Sequence, residues 1–230
     1  MSGNVTMEFH WACRTGDLEK VTNFLSQKAQ IDVKALNEKC TLHSAVSSRF
    51  TEIVKILLKI GCNVNGLNWL GNTPLNWAVG FESNLPIVQI LLENGANIDA
   101  RDSNDKTALY KACQYQKHEI VQELLKHNPE IDAVSTAHYI TPLQISAYRG
   151  NVKTVELLLK HGANIDHLDF NKGSVLSYGV NRGDAVIVKT LLDNGCKTNV
   201  RNTHDELTEI EVALKQGLKD IMKMLALHGN

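Results

Sequence analysis

A spacing of 33 or 34 residues, recurring along the whole of this 230-residue chain, constrains its fold more than any other feature. Its clearest copy is 72–100, NTPLNWAVGFESNLPIVQILLENGANIDA. Thr73-Pro74-Leu75-Asn76 opens a short apolar segment, Trp77-Ala78-Val79, and a polar break follows at Glu82-Ser83-Asn84. A second helical pattern then carries Ile87, Val88, Leu91 and Leu92 on one face. Gly95 stops it, at the place past a helix end where the backbone takes positive φ. The Thr73 position recurs at Met7, Cys40, Thr107, Thr141, Ser174 and Thr208, in steps of 33 (40−7), 33, 34, 34, 33 and 34. The glycine recurs at Gly61, Gly162, Gly195 and Gly229, with Asn128 in the central gap and Lys28 in the first copy. Such a chain is a stack of similar helix pairs, each of which buries too little to fold alone.

A 33-residue period with a T-P-L-H-x-A opening resembles the ankyrin-repeat family. Thr73-Pro74-Leu75 with Gly95-Ala96-Asn97, and Thr141-Pro142-Leu143 with Gly162-Ala163-Asn164, carry the resemblance best, and it extends from about Ser2 to Asn230. It implies an all-α fold, an ankyrin-repeat solenoid of stacked helix-turn-helix units with β-hairpin returns. One domain over 1–230 is expected, with repeats at about 2–34, 35–67, 68–101, 102–135, 136–168, 169–202 and 203–230. The first and last serve as caps, and no linker or appended motif is expected after the seventh. Pro86 falls in the first turn of its helix, with Asn84 as the N-cap. Gly179, where alanine is usual, is expected to loosen its helix by roughly 1 kcal/mol. The family joins the opening threonine to a histidine three residues on, and no repeat here has both. Thr73 faces Asn76, Thr107 faces Tyr110 and Thr141 faces Gln144, while His10 and His43 face Met7 and Cys40.

Composition removes several classes. The formal charge is −1, so no global basic field exists for nucleic acid or anionic lipid. The longest apolar candidate, Ile53 to Ile60, is interrupted by Lys55 and Lys59, which excludes a membrane span. The first residues lack a signal-peptide layout. Five cysteines without paired spacing suit a reducing compartment, cytoplasm or nucleus, or host cytoplasm for a pathogen protein. Cys13, Cys62, Cys113 and Cys196 stand at small-residue positions and read as buried packing.

Reactive constellations are scarce. His10 with Cys13, and Cys40 with His43, each lie three apart, but a zinc site needs four converging donors. No phosphate-cradling glycine loop or nucleophile motif occurs, so neither an enzyme nor a cofactor is expected. Asp205, Glu206, Glu209 and Glu211 read as a solvated helix start that complements the dipole. His127 and His161 read as caps at the ends of second helices.

What remains is surface. In ankyrin-repeat proteins the hairpin tips and first helices line a concave face that binds protein partners. Mapped by position, the resemblance implies tip contacts at Trp69, Leu70, Asn72, His138, Tyr139 and Phe170. It implies helix contacts at Phe81, Tyr115, Tyr148, Arg149, Asn181 and Arg182. Aromatic residues and arginine are the types that interface hot spots favour. Trp11, Trp77 and Tyr178 take the leucine place inside first helices and are expected to pack between repeats. The reading is a non-enzymatic interaction scaffold, monomeric alone, acting as adaptor, inhibitor or effector. The alternative is a sensor of a small phosphorylated ligand or nucleotide, held by Tyr115, Tyr148, Arg149 and Arg182.

Overall fold

The computed structural model describes residues 2–82, 84–201, 203 and 206–228. Ser83, Asp205 and Gly229, three positions used in the sequence reading, lie outside the described residues. The chain divides into two compact units, Met1–Ser103 and Asn104–Asn230.

In the N-terminal unit, α1 (Ser2–Thr15) pairs with α2 (Leu18–Ser26), and α4 (Thr41–Ser47) with α5 (Thr51–Lys59). The third pair is α6 (Pro74–Ala78) and α7 (Leu85–Glu93), and a short α3 (Val33–Glu38) precedes α4. In the C-terminal unit the pairs are α8 (Ala108–Gln114) with α9 (His118–Leu125), and α10 (Pro142–Arg149) with α11 (Val152–Lys160). They continue with α12 (Val175–Arg182) and α13 (Ala185–Asp193), then α14 (Glu209–Lys215) and α15 (Lys219–His228). First helices stack on first helices, α8 on α10 on α12 on α14, and second helices do likewise.

The periodicity explains this packing. The residue two past the recurring position is buried in six of the seven repeats (Phe9, Leu42, Leu75, Leu109, Leu143, Leu176), and Ile210 in the seventh is half-buried. So are Ile53, Val54 and Leu57, Ile87, Val88 and Leu91, and Ile187, Val188 and Leu191 on the inner faces of second helices. Each such side chain contributes roughly 1.5 to 3 kcal/mol of burial. Openings are capped locally: the hydroxyls of Thr73, Thr107, Thr141 and Ser174 accept from the N–H three residues on. Second helices end in positive φ at Gly61, Gly95, Gly162 and Gly195, and also at Lys28 and Asn128. The repeat therefore imposes this backbone even where no glycine stands.

Structure and expectation part at several points. Met7 is not an opening, because α1 already runs from Ser2 through it. The return before the second repeat is the helix α3, capped by Asp32, whose carboxylate accepts from the Ala35 N–H. The returns carry almost no ladder: among the described residues the isolated bridge Ser135–Ile140 is the strand pairing. Asn84 stands at an N-cap but sends its amide to the Ala78 carbonyl, 3.0 Å away. Trp11 is 51% exposed, with the Arg14 guanidinium over its ring, rather than packed between repeats. Trp77 and Tyr178 are half-buried. Gly179 does more than loosen a helix: a Cβ there would lie 3.0 Å from Ile187 Cγ2, so the glycine lets α12 and α13 approach closely.

The missing threonine–histidine pairs are replaced by links between successive repeats. His10 Nδ1 donates to Thr41 Oγ1 at 2.8 Å, since that hydroxyl spends its own hydrogen on the Leu36 carbonyl. His43 Nε2 donates to the Asn72 carbonyl at 2.9 Å. Asn76 reaches the Ala100 carbonyl, and Gln144 the carbonyls of His167 and Gly173. Burial holds the pKa of both histidines below the usual 6.5, keeping the rings neutral.

Candidate functional site

In the N-terminal unit the surface is built on one tight loop. The Asn68 side-chain oxygen accepts from the N–H groups of Leu70 and Asn72, at 2.9 and 3.0 Å. Gly71 takes positive φ, and the Asn68 N–H returns to the Asn72 carbonyl at 3.0 Å. This closed turn projects Trp69, 77% exposed, with exposed Leu70 beside it. Trp69 meets Trp77 edge-on at 6.4 Å, and Trp77 meets half-buried Phe81 at 5.5 Å. Asn72 is a correction: it is 6% exposed, and its carbonyl receives His43, so it shapes the tip from beneath. Sequence reasoning missed Asn68, although an asparagine opening a tip before Gly71 is a local signal for a side-chain-closed turn.

The C-terminal unit repeats the device with Asp169, whose Oδ1 accepts from Asn171 N and Gly173 N at 2.7 and 2.8 Å. That loop carries Phe170, 73% exposed and stacked on exposed Tyr139 with centroids 6.5 Å apart. The Phe170 N–H donates to the carbonyl of exposed His138, and His167 Nε2 to that of Tyr139. Asp169 also accepts the Tyr178 hydroxyl at 2.5 Å, which ties the tip to the first helix of the same repeat.

At the C-terminal ends of α8, α10 and α12 the surface becomes a groove. Gln116, Tyr148, Arg149, Asn181 and Arg182 line a cavity of about 340 Å³. Tyr148 is 52% exposed and leans edge-on against Tyr178. The Arg149 guanidinium lies 5.7 Å from the Tyr148 ring centroid, and Arg182 Nη1 donates to the Tyr148 carbonyl at 3.1 Å. Arg182 Nε has Asp184 at 3.7 Å, whereas Arg149 Nε is covered and has no acceptor among the described residues. Gly150, at φ +78°, makes room for Arg182: a Cβ there would overlap the guanidinium. Gln116 holds the same left-handed backbone at φ +59° without being glycine, at a cost of roughly 1 to 2 kcal/mol. The structure thus brings Tyr148, Arg149, Asn181 and Arg182 together and adds Gln116. Tyr115 is exposed but does not line the groove.

The remaining candidates resolve as structure. Among the described residues no three metal-ligating side chains converge, and His10 and His43 are engaged as above. Burial pushes the Cys13, Cys113 and Cys196 thiols up to about 12 and Cys62 to about 11, so they are protonated packing groups. His161 Nδ1 donates to the Leu157 carbonyl, a helix-end cap, and His127 stands 3.7 Å from Glu123. The acidic helix start divides. Glu211 accepts from the Thr208 N–H and hydroxyl, but Glu209 is buried, at 1% exposure, rather than solvated.

A family model described as ankyrin repeats (3 copies) matches residues 9–102, 81–169 and 134–202. The chain belongs to the ankyrin-repeat family. It is similar to the B-cell lymphoma 3 protein homolog of Mus musculus, 28% identical over 197 residues, covering 84% of this chain and 44% of that protein. It is also similar to potassium channel AKT2/3 of Arabidopsis thaliana, 31% identical over 198 residues, covering 86% of this chain and 20% of the other. The chain therefore spans less than half the length of these curated relatives. Among solved structures, the ankyrin repeat domain of Bcl-3 superposes with TM-score 0.78 at 26% identity, covering 94% of this chain and 97% of that one. An ankyrin repeat domain from Acinetobacter baumannii gives TM-score 0.77 at 25% identity, covering 82% of this chain and 97% of that one. Ankyrin repeats are a protein–protein interaction module, and the fold is generally non-enzymatic. Among the described residues no helix is long and apolar enough to cross a membrane.

Proposed function

We propose that this ankyrin-repeat chain is a non-enzymatic scaffold, its residues 1–230 acting as one interaction domain that holds a protein partner. The binding face is the one bearing hairpin tips and first helices, concave in the family, and the role is that of adaptor, inhibitor or effector. The chain alone is a monomer, works in the cytoplasm or nucleus, and engages neither nucleic acid nor membrane. One observation carries this reading: large aromatic side chains stand exposed on the tips and first-helix ends of three successive repeats, Tyr115 in one, Tyr139 and Tyr148 in the next and Phe170 in the third. Apolar surface of this kind has a solubility cost that a partner removes. The test is affinity capture from the native host, comparing wild type with Tyr148→Ala and with Lys160→Glu on the exposed side of α11. The reading expects a protein that Tyr148→Ala loses and Lys160→Glu retains; the reverse pattern contradicts it.

The groove supports a second reading, a sensor of a small phosphorylated ligand or nucleotide, because two arginines and Tyr148 share one cavity. A thermal-shift screen with nucleotides separates the two. At a hundredfold excess over Kd a bound ligand adds about 2.7 kcal/mol, whereas a scaffold does not respond.

A further inference from the structure

The groove at the ends of α8, α10 and α12 is unbalanced in charge. Its lining holds two guanidiniums, two carboxamides and a phenol, and no carboxylate. Arg182 is partly compensated by Asp184 and by the Tyr148 carbonyl. Arg149 has no ion pair among the described residues, and its covered Nε finds no acceptor. A guanidinium with no carboxylate partner, beside an aromatic ring, is a planar donor fork that fits an oxyanion.

Backbone geometry at the rim adds an independent observation. Gly150 and Gly183 end α10 and α12 in the left-handed region, and the corresponding residue after α8 is Gln116, in the same region with a side chain. Glycine would satisfy that backbone without strain. The strained residue is one that places a carboxamide in the groove.

We infer that the groove receives the carboxylate of an aspartate or glutamate side chain from the partner, an assignment that rests on the scaffold reading above. The carboxylate lies between Arg149 and Arg182, with the Gln116 and Asn181 amides as further donors and Tyr148 as the apolar wall. Helix polarity selects a carboxylate over a phosphate. Three helices point their C-terminal ends here, and their negative ends oppose a dianion more than a monoanion. Phosphate sites use the N–H groups of helix N-termini, and none of the five lining residues stands in the first turn of a helix.

The experiment titrates the 230-residue chain with blocked tetraglutamate, blocked tetraglutamine and inorganic phosphate at constant ionic strength. The readout is the NMR signals of the arginine Nε–H groups. Tetraglutamate is expected to shift Arg149 and Arg182 saturably, tetraglutamine not at all, and phosphate less at equal concentration. Arg149→Gln should weaken tetraglutamate binding about tenfold. Gln116→Gly should melt higher yet bind tetraglutamate several-fold more weakly; unchanged affinity would overturn the part assigned to Gln116. Absence of any shift with tetraglutamate, or an equal shift with tetraglutamine, overturns the assignment. A larger shift with phosphate also overturns it, making the groove a free-oxyanion site. The two readings fail separately: partner binding lost in Tyr148→Ala but kept in Arg149→Gln removes only the carboxylate assignment. A silent Tyr148→Ala removes the scaffold reading, and tetraglutamate still decides the groove.

Discussion

The Ser174 hydroxyl donates to Glu209 Oε1 at 2.8 Å across two successive repeats, out of contact with solvent. The other carboxylate oxygen accepts the Val200 N–H at 2.9 Å, so one side chain fastens α14 to α12 and to the preceding return. Burial nevertheless raises the Glu209 pKa above its ordinary 4.5, outweighing the hydrogen bonds that lower it. A raised folded-state pKa means that the native protein binds the extra proton. Stability is therefore lost as pH rises from about 4.5 through the raised value. Urea unfolding at stepped pH should show this slope in wild type and its loss in Glu209→Gln. Parallel slopes in the two proteins would show that Glu209 is not titrating as described.

The histidine links in the N-terminal unit give the opposite sign. His10 and His43 are neutral in the fold and titrate below 6.5 there. Their contribution is complete above 6.5 and is lost as pH falls below that value. His43→Gln should flatten the stability profile on the acid side and lower stability at neutral pH by about 1 kcal/mol, the worth of the Asn72 link. An unchanged acid limb in denaturant melts of this variant would refute the assignment.

Two glycines with similar φ separate backbone strain from crowding. Gly162, at +85°, has nothing near a hypothetical Cβ, so Gly162→Ala should cost roughly 1 kcal/mol of conformational strain alone. At Gly150, +78°, the same methyl would overlap the Arg182 guanidinium, the movable end of a long side chain, so Gly150→Ala should add little to that strain but displace Arg182 from the groove. An unshifted Arg182 Nε–H signal in Gly150→Ala would contradict this.

Much of this architecture is legible in the sequence, because helix pairs follow from where threonine, proline and glycine interrupt apolar periodicity. The helix faces at Ile87, Val88 and Leu91, and the left-handed stops at Gly95 and Gly162, stand where their spacing requires. What escaped depends on neighbours distant in sequence. Asn72 has the position of a contact residue but is buried, because Asn68 folds the tip over it and His43 claims its carbonyl. Glu209 sits in an acidic run that reads as solvated until Ser174, 35 residues earlier, meets it. Helix α3 was masked by the expectation of a polar return, although Asp32 followed by Ala35 is a capping arrangement. At the candidate site, positions named the aromatics, but only the fold shows that Gln116 rather than Tyr115 joins Tyr148 and the arginines.

Gly179 tests how far local propensity reaches. Alanine is favoured in a helix by about 1 kcal/mol, but its methyl would lie 3.0 Å from Ile187 Cγ2 and 3.4 Å from Val188 Cγ2. Overpacking of this kind costs roughly 1 to 3 kcal/mol, so Gly179→Ala should be neutral or destabilising. A melting temperature raised by the full propensity gain would show that α12 and α13 separate freely.

The central claim is that the exposed tip and first-helix aromatics bind a protein. It is tested most directly by calorimetric affinity of the captured partner for wild type, Trp69→Ala, Tyr148→Ala and Lys160→Glu. The account predicts that each aromatic truncation weakens binding by on the order of 2 kcal/mol, roughly 30-fold, with the melting temperature unchanged. Lys160→Glu, at an exposed position of α11, should leave the affinity within about twofold. Loss of binding in Lys160→Glu, with Trp69→Ala and Tyr148→Ala both silent, would contradict it.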